Sequence, residues 1–144
     1  MPLSQTLACE RTVSQFMTPD PICAKLTSSV REVSDLLAQN DIRHLPILDN
    51  GRLVAMISDR DMRAITGWYL SEPPEGTTRP YMCVADFCDS DVISIAPEED
   101  IVEAIDLMVN HKIGALPVVD ARSQKLVGIV SYIDVLRELR DAIE

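Results

Sequence analysis

This chain has no surplus of positive charge, no long apolar run and no cluster of metal-ligating residues. Its 144 residues hold 13 Lys or Arg against 23 Asp or Glu, a formal charge of −10. Binding a phosphate backbone needs clustered cations that survive such a background, so nucleic acid is excluded as a partner. No apolar stretch approaches the roughly 20 residues of a membrane-spanning helix. The start, Met1-Pro2-Leu3-Ser4-Gln5-Thr6, has no charged leader followed by an apolar run. Together these absences point to a cytoplasmic protein with no membrane span. The four cysteines, at 9, 23, 83 and 88, form no Cys-x-x-Cys pair, and the only histidines are His44 and His111. A zinc site is therefore not expected, and the cysteines read as small apolar side chains in a reducing compartment. With five glycines the chain has no Gly-x-x-x-x-Gly-Lys loop, and no nucleophile stands beside a base in a recognisable motif, so the chain is not expected to be an enzyme.

Most of the chain, in contrast, is written twice. At an offset of 71, residues 13–49 align with 84–120, and 11 of the 37 aligned positions are identical, where chance gives about two. Asp41-Ile42-Arg43-His44-Leu45-Pro46-Ile47-Leu48-Asp49 lies on Lys112-Ile113-Gly114-Ala115-Leu116-Pro117-Val118-Val119-Asp120. Two residues are then gained in a turn, and an offset of 73 places Leu53 to Asp61 on Leu126 to Asp134.

Each copy predicts the same series of elements. Ser29-x-x-Glu32 and Asp100-x-x-Glu103 are capping boxes, which start helices over about 30–40 and 101–111. Val30, Val33, Leu36 and Leu37 form a helical stripe, as do Ile101, Ala104, Ile105 and Met108. Strands follow over 45–48 and 53–58 around the hairpin signal Asn50-Gly51, and over 116–119 and 126–131 around a longer turn. Short amphipathic helices near 59–66 and 132–142 close the copies. Residues 67–82, with Pro73, Pro74, Gly76 and Pro80, read as a linker, with Trp68 and Tyr69 packing over a lobe edge. The first domain is thus expected over 10–66 and the second over 83–142. One copy of about 50 residues is too small to bury its own sheet and helix faces, so the fold class is α/β (α+β), two β-α-β-β-α repeats packed with pseudo-two-fold symmetry.

The segment from Ile42 to Asp49 and from Ile113 to Asp120, followed by a strand ending in Ser58-x-x-Asp61 or Ser131-x-x-Asp134, resembles a tandem pair of cystathionine β-synthase (CBS) domains, the Bateman module, over about residues 10–140. The resemblance implies a stand-alone regulatory module that binds an adenosine-containing ligand in the cleft between its two domains, signals to a partner in trans and forms a homodimer through exposed helices. It also implies that Asp61 and Asp134 take the ribose hydroxyls. Their chemistry suits that role, because a carboxylate only accepts and a vicinal diol can donate twice. Ser58 and Ser131, at the junction of strand and helix, can turn toward the same ligand. The plain alternative is a helix cap with a solvated acid.

Phosphate contacts fall to Arg43, His44 and Arg60, which the second copy replaces with Gly114, Ala115 and Ile133. The best-equipped site is expected to combine Asp134 and Ser131 with Arg43, His44 and Arg60; Gly114 and Ala115 instead leave room for an adenine ring, with Ile93, Ile113 and Tyr132 as apolar lining. For Arg60 the alternative is an ion pair with Asp59 or Asp61, and for Asp49 and Asp120 a role in turns. The cations favour AMP, ADP or ATP as regulatory ligand over the sulfonium of S-adenosylmethionine; no cofactor is required. The competing function is a ligand-free protein-protein interaction or dimerisation module, and the regulated partner is unknown.

Overall fold

The computed structural model describes residues 11–70, 83–87 and 91–144, and for 66–70 the backbone alone. The chain divides into two compact lobes, Ile22–Val92 and a second made of Met1–Pro21 with Ile93–Glu144. The expected linker lies largely outside the described residues, as do Cys9, Cys88 and the side chains of Trp68 and Tyr69.

In the first lobe a parallel pair, β2 (Ala24–Lys25) on β3 (His44–Asp49), is extended by β4 (Arg52–Ser58), antiparallel to β3 with His44 opposite Ser58 and Asp49 opposite Arg52. The hairpin turns at Asn50 (φ 50°) and Gly51 (φ 81°). Positive φ at both central residues is what a type I′ turn requires and what Asn-Gly tolerates. Helix α2 (Val30–Gln39) starts where the Ser29 side chain accepts the Glu32 N–H at 3.0 Å, and it stops at Asn40 and the left-handed Asp41. Val30, Val33 and Leu37 pack with Leu45, Ile47, Ala55, Ile57 and Met62 into one core. Helix α3 runs from Asp59 to Leu70, past the expected end at 66.

The second lobe repeats this plan. Helix α4 (Ile101–His111) is capped by Asp100, whose side chain accepts from Val102 N–H at 2.9 Å rather than from Glu103; either donor satisfies one of the orphan groups of a first turn. Strands β5 (Ala115–Val119) and β6 (Leu126–Ser131) pair antiparallel, and β1 (Thr18–Pro19) adds to the other side of β6. Gly128 lies opposite Pro19, and a Cβ there would stand 3.0 Å from the Thr18 carbonyl oxygen. Helix α5 (Tyr132–Ile143) closes the lobe.

The repeats exchange their opening turns. Val13, in the short helix α1 (Val13–Phe16), is fully buried among Ile95, Ile101, Leu116 and Val130, and its N–H donates to the Glu99 carbonyl at 2.9 Å. Its counterpart Val84, in a 3-10 turn (Val84–Asp86), is fully buried in the first lobe's core and donates to the Ser28 carbonyl at 2.8 Å. Each opening valine therefore fills the core built by the other copy's helix and hairpin. Arg11 belongs to the same exchange, 3.2 Å from Glu138 on α5 and 6.0 Å from the centre of the Phe16 ring.

Candidate functional site

In the first lobe the candidate residues gather where the hairpin ends. His44 opens β3 opposite Ser58, the last residue of β4, and Asp59 N–H donates to the Arg43 carbonyl at 2.8 Å. The next turn folds back on itself. Asp61 N–H donates to Ser58 Oγ and Ser58 N–H to Asp61 Oδ2, both at 3.0 Å. Ladder and helix start together hold Arg43, His44, Ser58 and Asp61 at one strand end, with Arg60 exposed between the two motif residues.

The second lobe holds the same frame with different side chains. Ala115 lies opposite Ser131, and Tyr132 N–H donates to the Gly114 carbonyl at 3.1 Å. Asp134 Oδ2 accepts from Ser131 N–H at 2.8 Å and from Ser131 Oγ at 3.1 Å. In both lobes Ser-x-x-Asp is thus a reciprocal helix cap, the plain alternative the motif carried. The cap uses one carboxylate oxygen, Oδ2; Oδ1 takes no hydrogen bond among the described residues. A capping carboxylate can therefore still accept from a ligand.

The electrostatics of the first strand end are mixed. Burial of the half-buried His44 pushes its imidazole below the ordinary histidine range; Asp59 and Asp61 pull it back up and Arg43 adds to the depression. Asp59 lies 4.0 Å from Arg63, one helical turn on, and Arg60 forms no ion pair among the described residues. The alternative for Arg60, a pair with Asp59 or Asp61, is not formed; Asp59 makes this i,i+4 contact with Arg63 instead, which helix geometry favours. Asp59 as a neighbour of His44 is not marked by the repeat, since Tyr132 stands at the equivalent position of the second copy.

The apolar candidates belong to the second lobe, Tyr132 directly after Ser131 and Ile113 directly before Gly114. Ile93 and Ile113 pack against the second lobe's core, and Tyr132 is 39% exposed. Asp120 acts in its turn: its carboxylate accepts from Arg122 N–H at 3.0 Å, which holds it below the usual carboxylate range. Asp49 ends β3 opposite Arg52. Among the described residues no group of His, Cys, Asp and Glu could hold a metal ion, and no helix is long and apolar enough to cross a membrane.

Two copies of one α/β unit, each ending its hairpin in a Ser-x-x-Asp cap, define a duplicated module whose exposed polar groups cluster at strand ends. Residues 13–65 and 84–141 both match the CBS domain family, and the chain belongs to it. An uncharacterized protein of Methanocaldococcus jannaschii is 30% identical over 129 residues, 87% of this chain; the match spans 46% of that relative's length. Among solved structures, CBSX2 in complex with AMP superposes with a TM-score of 0.76 at 29% identity, covering 92% of this chain and 98% of that one. The CBS domain pair of protein MJ0100, in complex with 5′-methylthioadenosine and S-adenosyl-L-methionine, gives 0.76 at 25% identity, covering 90% and 99%. The two family matches leave no stretch of this chain as large as a catalytic domain.

Proposed function

We infer that this chain is a cytoplasmic regulatory module that binds an adenine nucleotide (AMP, ADP or ATP) and signals its presence to a protein partner in trans, pairing with a second copy of itself. One observation carries the reading: the Ser-x-x-Asp cap stands at the same strand end in both lobes, with one carboxylate oxygen of Asp61 and of Asp134 left over from the cap. In this reading each acid accepts from ribose hydroxyls beside Ser58 or Ser131, and Arg43, His44 and Arg60 meet the phosphate. The cations come from the first lobe, since Gly114 and Ala115 bring no charge to the second. The adenosine moiety shared by AMP, 5′-methylthioadenosine and S-adenosylmethionine in the similar structures supports the ligand class. Two arginines and a histidine favour a phosphate over a sulfonium. Ligand shifts the module only to the extent that its two arrangements differ in affinity.

The caps also give the competing reading an observation of its own, because an acid that caps a helix needs no ligand to explain it. Thermal unfolding with AMP, ADP, ATP, NADH and S-adenosylmethionine separates the two. A ligand at 100 times its Kd adds about 2.7 kcal/mol, and Asp61→Ala or Asp134→Ala removes that gain. Equal unfolding temperatures with all five compounds would leave only the interaction module.

A further inference from the structure

The chain holds three asparagines, at 40, 50 and 110, and each stands in a different setting. Asn40 closes α2; its Nδ2 donates to the Leu36 carbonyl at 2.8 Å, and the N–H of the next residue, Asp41, donates to the Ala38 carbonyl at 3.4 Å. Asn110 lies inside α4, where the helix ladder holds the peptide that follows it. Asn50 alone precedes a glycine. Both residues of that turn are exposed, and neither the Asn50 side-chain amide nor the Gly51 N–H has a hydrogen bond among the described residues. A Cβ at Gly51 would meet nothing within 4 Å.

A backbone nitrogen beside an asparagine amide is a nucleophile beside an acyl carbon, and the turn decides whether the two meet. In a type I′ turn the first central residue has ψ of about 30°, which turns the Gly51 nitrogen away from Asn50 Cβ. Flipping the central peptide alone gives type II′, with ψ of about −120° at the first central residue and φ of about −80° at the second. At an L-residue that ψ eclipses the following nitrogen with Cβ, the near-planar arrangement of a five-membered ring through Cγ. Both turn types join the same two-residue hairpin, so Asp49 stays paired with Arg52 and Leu48 with Leu53 through the flip. Gly51 accepts φ of either sign and has open space around it. Type II′ prefers glycine at the first position, so the flipped turn is a minor state and the reaction through it is slow. The second lobe's turn, residues 120–125, contains neither asparagine nor glycine.

We propose that Asn50 is a modification site: in the folded chain its side-chain amide is lost through a succinimide closed by the Gly51 nitrogen, so that the first lobe ages by a route the second lacks. The Gly51 nitrogen gives up its proton and bonds to Asn50 Cγ; the Cγ–Nδ2 bond breaks, and ammonia leaves with that proton. Water then opens the ring at either carbonyl, its hydroxyl going to the carbon and its proton to the nitrogen. Attack at Cγ leaves aspartate in an ordinary backbone. Attack at the main-chain carbonyl breaks the original peptide bond and leaves the chain running through Cγ as isoaspartate. One water enters, one ammonia departs, nothing is oxidised or reduced, and either product adds a negative charge to a formal −10. The products differ in consequence. Asp-Gly takes the same turn as Asn-Gly, whereas isoaspartate adds a methylene to the backbone of a turn that sets the register of Asp49 against Arg52. His44 and Ser58 stand at the other end of the hairpin.

Peptide mapping by mass spectrometry tests this on the full folded chain, held in mildly alkaline, ammonium-free buffer and digested under mildly acidic conditions. The peptide carrying residue 50 is expected to gain the mass by which a hydroxyl exceeds an amino group, while Asn40 and Asn110 keep their amides. It should do so as two species of equal mass, aspartate and isoaspartate, which electron-transfer fragmentation tells apart. Anion exchange of the whole protein should show a more acidic form growing at the same rate. Asn50→Asp, which keeps the turn, marks where the aspartate product elutes and releases no ammonia. An Asn50 that keeps its amide as long as Asn40 and Asn110 do overturns the proposal, and so does loss seen only once urea has unfolded the chain. Aspartate without isoaspartate means direct hydrolysis of the side chain and overturns the ring.

Discussion

Replacing Asp61 by Ala and, separately, by Asn divides its work as a cap from its work on a ligand. Ala removes the acceptor that holds Ser58 N–H at 3.0 Å, at a cost of about 1 kcal/mol for an N-terminal cap, or roughly 4 °C in melting temperature for a chain of this size. Asn keeps an oxygen where the cap needs one, so the unliganded melting temperature is expected within about 1 °C of wild type, short of a few tenths of a kcal/mol from the lost charge at the helix start. Binding divides differently. A hydrogen bond from a ribose hydroxyl to a carboxylate is worth about 1.5–3 kcal/mol, so both variants are expected to weaken AMP roughly 10- to 150-fold. The same pair at Asp134, where Oδ2 takes two hydrogen bonds, repeats the pattern with a larger stability loss for Ala. Differential scanning calorimetry without ligand and titration calorimetry with AMP give the two readouts. If Asn at both positions binds AMP as the wild type does, the carboxylates are caps and nothing more.

Acidity should act on His44 with two opposite signs. Its folded pKa lies below the unfolded value, so below about pH 6.5 the unfolded chain takes up more protons, and unliganded stability falls with pH; a bound phosphate favours the imidazolium, so AMP affinity rises over the same acidification, and His44→Gln should flatten both slopes in calorimetry from pH 5 to 8. The exchange of opening turns means that a 93–144 fragment lacks Val13 and Phe16 from its core; its circular dichroism should show a folded lobe only when an 11–21 peptide is added, and a lobe that folds without the peptide would refute the exchange as a stabilising contact. Val13→Ala in the full chain should cost roughly 1.5–3 kcal/mol in urea denaturation. Gly128→Ala drives a Cβ against the Thr18 carbonyl, and although Met17 can swing aside, the β1 backbone must shift, at about 1–3 kcal/mol; an unchanged urea midpoint would show that β1 is loosely held.

Local chemistry made much of this fold legible. Asn50-Gly51 named its own turn because few other dipeptides take positive φ twice, and Ser29 marked the start of α2 through a hydrogen bond spanning three residues. What escaped is nonlocal or depends on competition between signals. The helix expected to end near 66 continues through Gly67 to Leu70; a single interior glycine costs only about 1 kcal/mol relative to alanine. Repetition identified Val13 and Val84 as equivalents without revealing which core each fills, since a repeat pattern records likeness and not contact.

The two lobes separate what the backbone requires from what this chain adds to it. Features kept in both copies, the buried opening valine, the Leu-Pro of the first hairpin strand and the reciprocal Ser-x-x-Asp cap, are those that hold the unit together, as their burial and hydrogen bonds show. The copies differ in Arg43 and the half-buried His44 against Gly114 and the buried Ala115 at the strand end, and in Arg31 and Arg63 against the exposed Val102 and Leu136 on the helices. The cap acids belong to both groups only if their spare oxygens are used, which is why the Asn variants carry more weight than Ala ones. A duplicated unit that places Arg43 and His44 at one strand end and Gly114 and Ala115 at the other gives its two copies different chemistry on one frame. A change at Arg43 or His44 is then expected to alter nucleotide affinity and leave the caps of both copies in place.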